Sequence, residues 1–286
     1  MHAFVNTAIR AARRAGEVIV RGLARFEGLT ATSKGVNDYV TEVDKQAEAE
    51  VIDILYRAYP QHSFLGEEGG YRGSSDTVWI IDPLDGTTNF IHGFPHFAVS
   101  IACMHRERLE HAVIYDPMRQ EIFHASAGAG AYLENKRIRV TKARGLQDSL
   151  IATGFPYSDN LVHIDAYLAM LKTVMSTTAG LRRPGAASLD LAYVACGRVD
   201  AFFEIGLKPW DTAAGTLLVT EAGGMVGTLD GSQYRQGGNI CAGTPRVYGA
   251  LLDAINPHLP EALRNEPQRP IVPQSPYSQA AVPKSE

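Results

Sequence analysis

An apolar run that ends in two carboxylates is the feature that most constrains the fold of this chain of 286 residues. Residues 79–81 read Trp-Ile-Ile, and Asp82 and Asp85 follow them directly. This order is typical of a buried strand that ends in a polar loop. Hard oxygen ligands lie close together in this short segment, supplied by Asp82, Asp85 and the carbonyl of Leu84. Such ligands bind Mg²⁺ or Mn²⁺ better than they bind softer metals.

Residues 86–88, Gly-Thr-Thr, extend this motif with backbone amides that bind phosphate well if a helix begins there. An isolated Asp-Gly pair, however, more often marks only a turn. Two further acidic motifs are equally ambiguous when taken alone. Glu67 and Glu68 lie between glycines and would suit a solvated loop, whereas Asp211 precedes a long apolar segment and would suit a helix N-cap.

The spacing of apolar residues predicts the order of elements along the chain. Residues 4–23 and 43–58 repeat apolar side chains at helical spacing, which predicts two amphipathic helices and places Asp44 at the start of the second. A carboxylate at that position is often present only to stabilise the helix dipole. Short apolar runs between residues 78 and 140 predict an antiparallel meander, and strands alternate with helices after residue 149.

These patterns predict two halves and a tail. Residues 1–148 form an N-terminal α+β half that carries the acidic motifs, and residues 149–264 form a C-terminal α/β half. Residues 265–286 are rich in Pro, Gln and Ser and lack apolar periodicity, so we expect this tail to be disordered.

Composition narrows the classes of protein to consider. With 45% apolar residues the chain can bury a large core, and its net charge of −4 gives no general attraction to nucleic acid. We therefore expect no direct nucleic-acid binding and, because no apolar run could span a bilayer, no membrane partner. Three cysteines without a Cys-x-x-Cys motif indicate reduced thiols, and the first 26 residues lack a signal core, so we expect the cytoplasm.

Taken in order, four motifs resemble the signature set of the inositol monophosphatase family, most closely its bacterial extragenic-suppressor branch. The motifs are Thr-Glu-Val-Asp at 41–44, Gly-Glu-Glu at 66–68, Asp-Pro-Leu-Asp-Gly-Thr at 82–87 and Trp-Asp at 210–211. The resemblance runs from the first helix to about Asn256. It implies the layered α-β-α-β-α sandwich shared with fructose-1,6-bisphosphatase, a homodimer, and lithium-sensitive, Mg²⁺-dependent hydrolysis of myo-inositol-1-phosphate.

The resemblance also implies roles for individual residues, with two or three Mg²⁺ ions per site and Mn²⁺ as a possible substitute. One metal would be held by Glu67, Asp82 and the Leu84 carbonyl, and the second by Asp82, Asp85 and Asp211. The attacking water would be activated by the hydroxyl of Thr87 with Asp44, and oriented by Glu67 through the first metal. The residues that would bind the substrate are Gly86, Thr87, Ala187, Glu204 and Asp211. Lys34 resembles a family lysine near a mobile loop after a one-residue shift.

Two alternatives remain open at this level. The substrate could be another small ester, such as a sugar phosphate or a nucleotide phosphate. Members of the extragenic-suppressor branch can also join transcription complexes that regulate ribosomal RNA synthesis, so the resemblance implies such proteins as partners, in addition to catalysis.

Overall fold

The computed structural model describes residues 2–26 and 33–264, with side chains described for 2–25 and 42–264. The tail that we expect to be disordered, residues 265–286, and the side chain of Lys34 lie outside these described residues.

Two long helices open the chain. Helix α1, Ala3–Phe26, agrees with the predicted first helix. Helix α2, Ser33–Ala58, ends as predicted before Pro60 but begins well before residue 43. The prediction that Asp44 lies at a helix start is therefore wrong. Residues 33–42 include a glycine and an asparagine and carry little apolar periodicity, so the sequence pattern does not indicate a helix there.

A mixed sheet of eight strands follows, with the order β2-β1-β3-β4-β5-β6-β7-β8. Strands β3 to β8 pair with their sequence neighbours in an antiparallel manner, which confirms the predicted meander, whereas β1 runs parallel to β3. A short helix, α3, Thr87–Ile91, follows β3. The strands are β1 Ser63–Gly66, β2 Gly70–Arg72, β3 Thr77–Asp85, β4 Ala98–His105, β5 Arg108–Asp116, β6 Glu121–Ser126, β7 Gly130–Leu133 and β8 Lys136–Arg137.

The rest of the described chain builds a sheet of five strands, ordered β10-β9-β11-β13-β12, and four helices. Strands β10, β9 and β11 are parallel, and β13 and β12 are antiparallel to their neighbours. The strands are β9 Leu150–Thr153, β10 Gly180–Arg182, β11 Ala201–Leu207, β12 Met225–Gly227 and β13 Gly238–Gly243. The helices are α4 Ile164–Thr177, α5 Ala187–Cys196, α6 Pro209–Glu221 and α7 Pro245–Ile255, and short 3-10 turns lie at Ser158–His163, Asn256–His258 and Glu261–Leu263.

Three apolar clusters hold these elements in five layers. Because side chains alternate across a strand, Ile81 packs with α1 and α2 on one face of the large sheet, and Ile80 packs with α5 and α6 on the other. The small sheet repeats this pattern: Phe202 faces α5 and α6, and Phe203 faces α4 and α7. The predicted α-β-α-β-α layering is confirmed. The predicted division of the chain into two halves near residue 149 stays a prediction. None of the described helices combines the length and the apolar character that a membrane crossing requires.

Candidate metal centre

The end of strand β3 brings Asp82 and Asp85 towards one site. Residues three apart in a regular strand point to opposite faces. Here Asp82 pairs with Ser100 but Asp85 pairs with Ala98, so the register shifts by one residue between them. Pro83 lies inside this bulge, where its missing N–H is tolerated. Asp82 is only 2% exposed, and its Oδ1 accepts a hydrogen bond of 3.0 Å from the amide of Leu84.

The turn after the bulge starts a helix at the edge of the site. Gly86 has φ of 93°, in the left-handed region that favours glycine, and α3 begins at the next residue. A Cβ atom at position 86 would lie 3.0 Å from the carbonyl oxygen of His96, so a larger residue would also be crowded. The hydroxyl of Thr87 donates to the carbonyl of Leu84 at 3.0 Å. The backbone amides of Gly86 and Thr87 therefore lie at a helix start beside the carboxylates, as a phosphate site requires.

Glu67 joins this cluster through the parallel pairing of β1 with β3. Gly66 is in register with Ile81, and the amide of Glu67 donates to the Ile81 carbonyl at 3.2 Å. Much of the Glu67 residue is exposed, but its carboxyl group lies close to that of Asp82. Loss of surrounding water raises the pKa of Glu67 to about 7, and the nearby Asp85 and Glu68 contribute to this increase.

The layer of helices between the sheets supplies the remaining groups. Asp211 lies in the first turn of α6, and its Oδ2 accepts a hydrogen bond of 2.6 Å from the amide of Lys208. The carboxylate therefore caps the helix, as its position suggests, and also faces the site. Burial, followed by the charge of Asp85, raises the pKa of Asp211 to about 8. Asp85 in turn accepts hydrogen bonds from the amide and the hydroxyl of Ser188, at the start of α5, and burial raises its pKa to about 6.

These carboxylates form an acidic cluster whose like charges disfavour ionisation. The pKa of Asp82 lies well above its usual range because it is buried and because Glu67, Asp85 and Asp211 surround it. In the described part of the chain, no three His, Cys, Asp or Glu side chains already form a closed group that could hold a metal ion. The donors are all oxygens, and several now accept hydrogen bonds from protein groups. An oxygen donor set with mutually repelling charges fits a hard divalent cation.

Asp44 reaches the cluster from helix α2. It is 7% exposed, and among the described residues its Oδ1 has no hydrogen-bond partner. Burial raises its pKa to about 8, with smaller contributions from Glu68, Glu67 and Glu48. The Thr87 hydroxyl donates to Leu84 in this geometry, so the joint role of Asp44 and Thr87 stays a prediction.

A second group of buried residues lies near the acidic cluster. Glu204, in the middle of strand β11, is 9% exposed, and burial together with Asp211 and Asp85 raises its pKa to about 8. Arg183 opposes this shift, and its guanidinium lies 5.2 Å from the centre of the Phe155 ring. Ala187 is buried at the start of α5.

Sequence reasoning missed several residues that support the site. Ser188 binds Asp85, and Asn89 donates from its side-chain amide to the carbonyls of His96 and Pro184 at 2.7 and 2.8 Å. Ser188 directly follows the candidate residue Ala187 in the sequence, and this adjacency is a signal that could have found it. Burial raises the pKa of Tyr157, and Asp211, Glu204 and Glu67 add to the shift, which places this tyrosine near the cluster.

Comparisons with known proteins agree with this architecture. The sequence model of the inositol monophosphatase family matches residues 1–262. The chain is 53% identical over 270 residues to the Nus factor SuhB of Pseudomonas aeruginosa, covering 92% of this chain and 100% of that protein. The structure of the extragenic suppressor protein suhB of Bartonella henselae superposes with a TM-score of 0.82 at 42% identity, covering 89% of this chain and 98% of that one. The inositol monophosphatase of Anabaena gives a TM-score of 0.80 at 39% identity, with coverage of 91% and 97%. The chain therefore belongs to the inositol monophosphatase family.

Proposed function

We propose that this protein is a Mg²⁺-dependent phosphomonoesterase that hydrolyses myo-inositol-1-phosphate to inositol and phosphate. The observation that carries the proposal is the convergence of Glu67, Asp82, Asp85 and Asp211 from separate elements onto one acidic cluster beside a helix start. Membership in a phosphatase family that is generally metal-dependent supports the same reaction. A single buried carboxylate would not distinguish this site from an ordinary structural acid.

We assign each of these residues a role in the proposed reaction. Glu67, Asp82 and the Leu84 carbonyl would hold one Mg²⁺ or Mn²⁺, and Asp82, Asp85 and Asp211 a second, with a weaker third ion near Glu67. When bound, these ions would lower the pKa of a water molecule and neutralise the departing alkoxide. The amides of Gly86 and Thr87 would bind the phosphate, and Asp44 would accept the proton of the attacking water with the help of the Thr87 hydroxyl.

Substrate choice would depend on Glu204 and Ala187. The buried carboxylate in the middle of β11 is suited to accept hydrogen bonds from a polyol hydroxyl, and the backbone of Ala187 would contact the ring. The Anabaena relative is named as an inositol monophosphatase, which supports inositol phosphate over the alternatives. These alternatives are fructose bisphosphate, a nucleotide 3′-phosphate and a dinucleotide phosphate.

A kinetic panel tests the proposal. Myo-inositol-1-phosphate should turn over only with Mg²⁺ or Mn²⁺, and faster than the alternative esters. Millimolar Li⁺ should inhibit most strongly at saturating substrate, because an ion that enters the second site as Mg²⁺ leaves would retain the product phosphate. Faster turnover of another ester would identify that ester as the better substrate. Rates that do not change with Li⁺ would count against the second metal site.

A second function is favoured by the relatives named Nus factor SuhB. We propose that the protein also binds transcription-complex proteins, as a homodimer in the cytoplasm. The buried free thiols of Cys103 and Cys241 are consistent with that reducing location. A pull-down from lysate with wild-type and Asp82→Asn proteins tests this role, since partners retained by the inactive variant would separate binding from catalysis. Sedimentation velocity tests the dimer.

A further inference from the structure

Glu48 is a buried carboxylate beside the site that the proposed chemistry does not use. It lies one helical turn after Asp44 on α2 and is 4% exposed. Its Oε2 accepts a hydrogen bond of 3.0 Å from the amide of Glu68, and the amide of Gly69 also donates to this carboxylate. A buried carboxylate that accepts two amides of one short turn holds that turn firmly, because charge-assisted hydrogen bonds are stronger than neutral ones.

The glycines on either side of Glu67 and Glu68 make this contact possible. A Cβ atom at Gly66 would overlap the Glu48 carboxylate, and one at Gly69 would lie 2.7 Å from Glu48 Oε1. Neither glycine has a φ in the left-handed region, in contrast to Gly70 with φ of 66°. These two positions therefore need glycine for space rather than for backbone conformation. The Glu48 carboxylate occupies the space that side chains at positions 66 and 69 would need.

The consequence concerns Glu67, which lies between the two anchored parts of the backbone. Its own amide is bonded to the Ile81 carbonyl of β3, and the next amide, that of Glu68, is bonded to Glu48. The backbone of Glu67 is thus held on both sides while its carboxyl group meets that of Asp82. A backbone fixed on both sides limits the positions that the long Glu67 side chain can adopt, and so keeps its carboxyl group near Asp82.

We propose that Glu48 is a positioning residue that aims the Glu67 carboxylate at the first metal. The inference rests on the proposed function for its metal, and it deepens that function by assigning a residue outside the ligand set. Residues that orient ligands in this way typically contribute about 10- to 100-fold to metal affinity.

The test compares Glu48→Ala and Glu48→Gln with Glu50→Ala as a matched control. Glu50 lies on the same helix but pairs with Arg14 at 3.1 Å, away from the site. Manganese affinity is measured by electron paramagnetic resonance, and amide exchange of residues 66–70 by mass spectrometry on the metal-free protein. Glu48→Ala should weaken Mn²⁺ binding about 10- to 100-fold and speed exchange in that segment. Glu48→Gln, which keeps one acceptor oxygen, should lie between, and Glu50→Ala should match the wild type.

Three outcomes decide the inference. Unchanged Mn²⁺ affinity and unchanged exchange in Glu48→Ala would overturn it. Faster exchange and weaker Mn²⁺ binding in Glu48→Ala would support the inference even if the wild-type protein does not hydrolyse inositol phosphate. In that case only the proposed substrate would be wrong. If Glu48→Ala does not fold, Gly66→Ala serves in its place, because the added methyl group would overlap the Glu48 carboxylate and displace it while Glu48 remains. Wild-type exchange and affinity in that variant would overturn the inference.

Discussion

Asp82 is the residue on which most of the proposed chemistry depends. It is nearly fully buried, and the charges of Glu67, Asp85 and Asp211 all act on it. Such a carboxylate is costly to ionise in the metal-free protein, since burial and like charges act in the same direction. A bound cation would reverse both effects. The residue is therefore expected to contribute to function and to oppose stability.

Asp82→Asn should abolish turnover without unfolding the protein. Asparagine keeps the size of the side chain and an oxygen for the Leu84 amide, but it removes the charge that both metals would share. We expect kcat/KM to fall by at least about 100-fold, since changing a group that merely supports a ligand costs up to that much. Thermal unfolding of the metal-free variant should occur at the same or a higher temperature than in the wild type. Normal Mg²⁺-dependent rates in a folded variant would contradict the two-metal assignment.

Glu204→Ala should discriminate between substrates. The lost hydrogen bond to a ring hydroxyl is worth on the order of 1.5 to 3 kcal/mol. KM for myo-inositol-1-phosphate should therefore rise by about 10-fold or more, while KM for a small ester such as glycerol phosphate changes less. Steady-state kinetics on both substrates gives the comparison. Equal losses on the two substrates would remove Glu204 from the specificity role.

At the scale of elements, hydrogen bonds connect the start of α5 to α3 and to the end of β3. The side-chain amide of Asn89, on α3, donates to Pro184 in the loop before α5 and to His96 in the loop after α3. Ser188, in the first turn of α5, binds Asp85 at the end of β3. The start of α5, which carries Ala187, is thus positioned by contacts with residues more than 90 positions away in sequence.

Asn89→Asp should weaken this connection. The substitution keeps the shape of the side chain but replaces an amide donor with a carboxylate that faces two carbonyl oxygens. We expect a loss of about 1 to 3 kcal/mol in the free energy of unfolding, together with a higher KM for the substrate. Urea denaturation measures the first effect and steady-state kinetics the second. Asn135→Asp, at an exposed position, should leave both unchanged, and an Asn89→Asp protein as stable as this control would refute the prediction.

At the scale of the whole molecule, the acidic cluster and its neighbours come from both sheets and from the helices between them. The large sheet contributes Asp82 and Asp85, and the turn after its strand β1 contributes Glu67. The central helices contribute Ser188 and Asp211, and the small sheet contributes Glu204. A cation bound here would link these layers. Its affinity should be coupled to pH, because binding requires deprotonated ligands.

Mg²⁺ should therefore stabilise the protein more at pH 8 than at pH 6. In the metal-free fold the pKa values of Asp211 and Glu67 are raised to about 8 and about 7, so the folded chain holds more protons than the unfolded chain between about pH 4 and pH 8. Metal-free stability from these groups must then fall as pH rises through that window. The pKa values of His96 and His111 are lowered to about 4. Their contribution to the pH dependence of stability is the same with and without Mg²⁺, so it cancels when the two conditions are compared.

Thermal unfolding in Mg²⁺ and in chelator, at both pH values, measures this coupling. The increase in melting temperature caused by Mg²⁺ should be larger at pH 8. Equal increases at the two pH values would show that these carboxylates are not the ligands.

The sequence by itself determined the elements whose exposed and buried faces alternate regularly, and the acidic motifs. Helix α1, the antiparallel strands β3 to β8 and the five layers follow from apolar spacing and the family resemblance, because periodicity reports directly which side of an element is buried. Tertiary structure decided the rest. The parallel pairing of β1 with β3 brings Glu67 to Asp82, and long-range contacts recruit Asn89, Ser188 and Glu48 to the site. A local pattern contains no information on which distant residue will face a given side chain, since that depends on how the sheets and helices pair and pack.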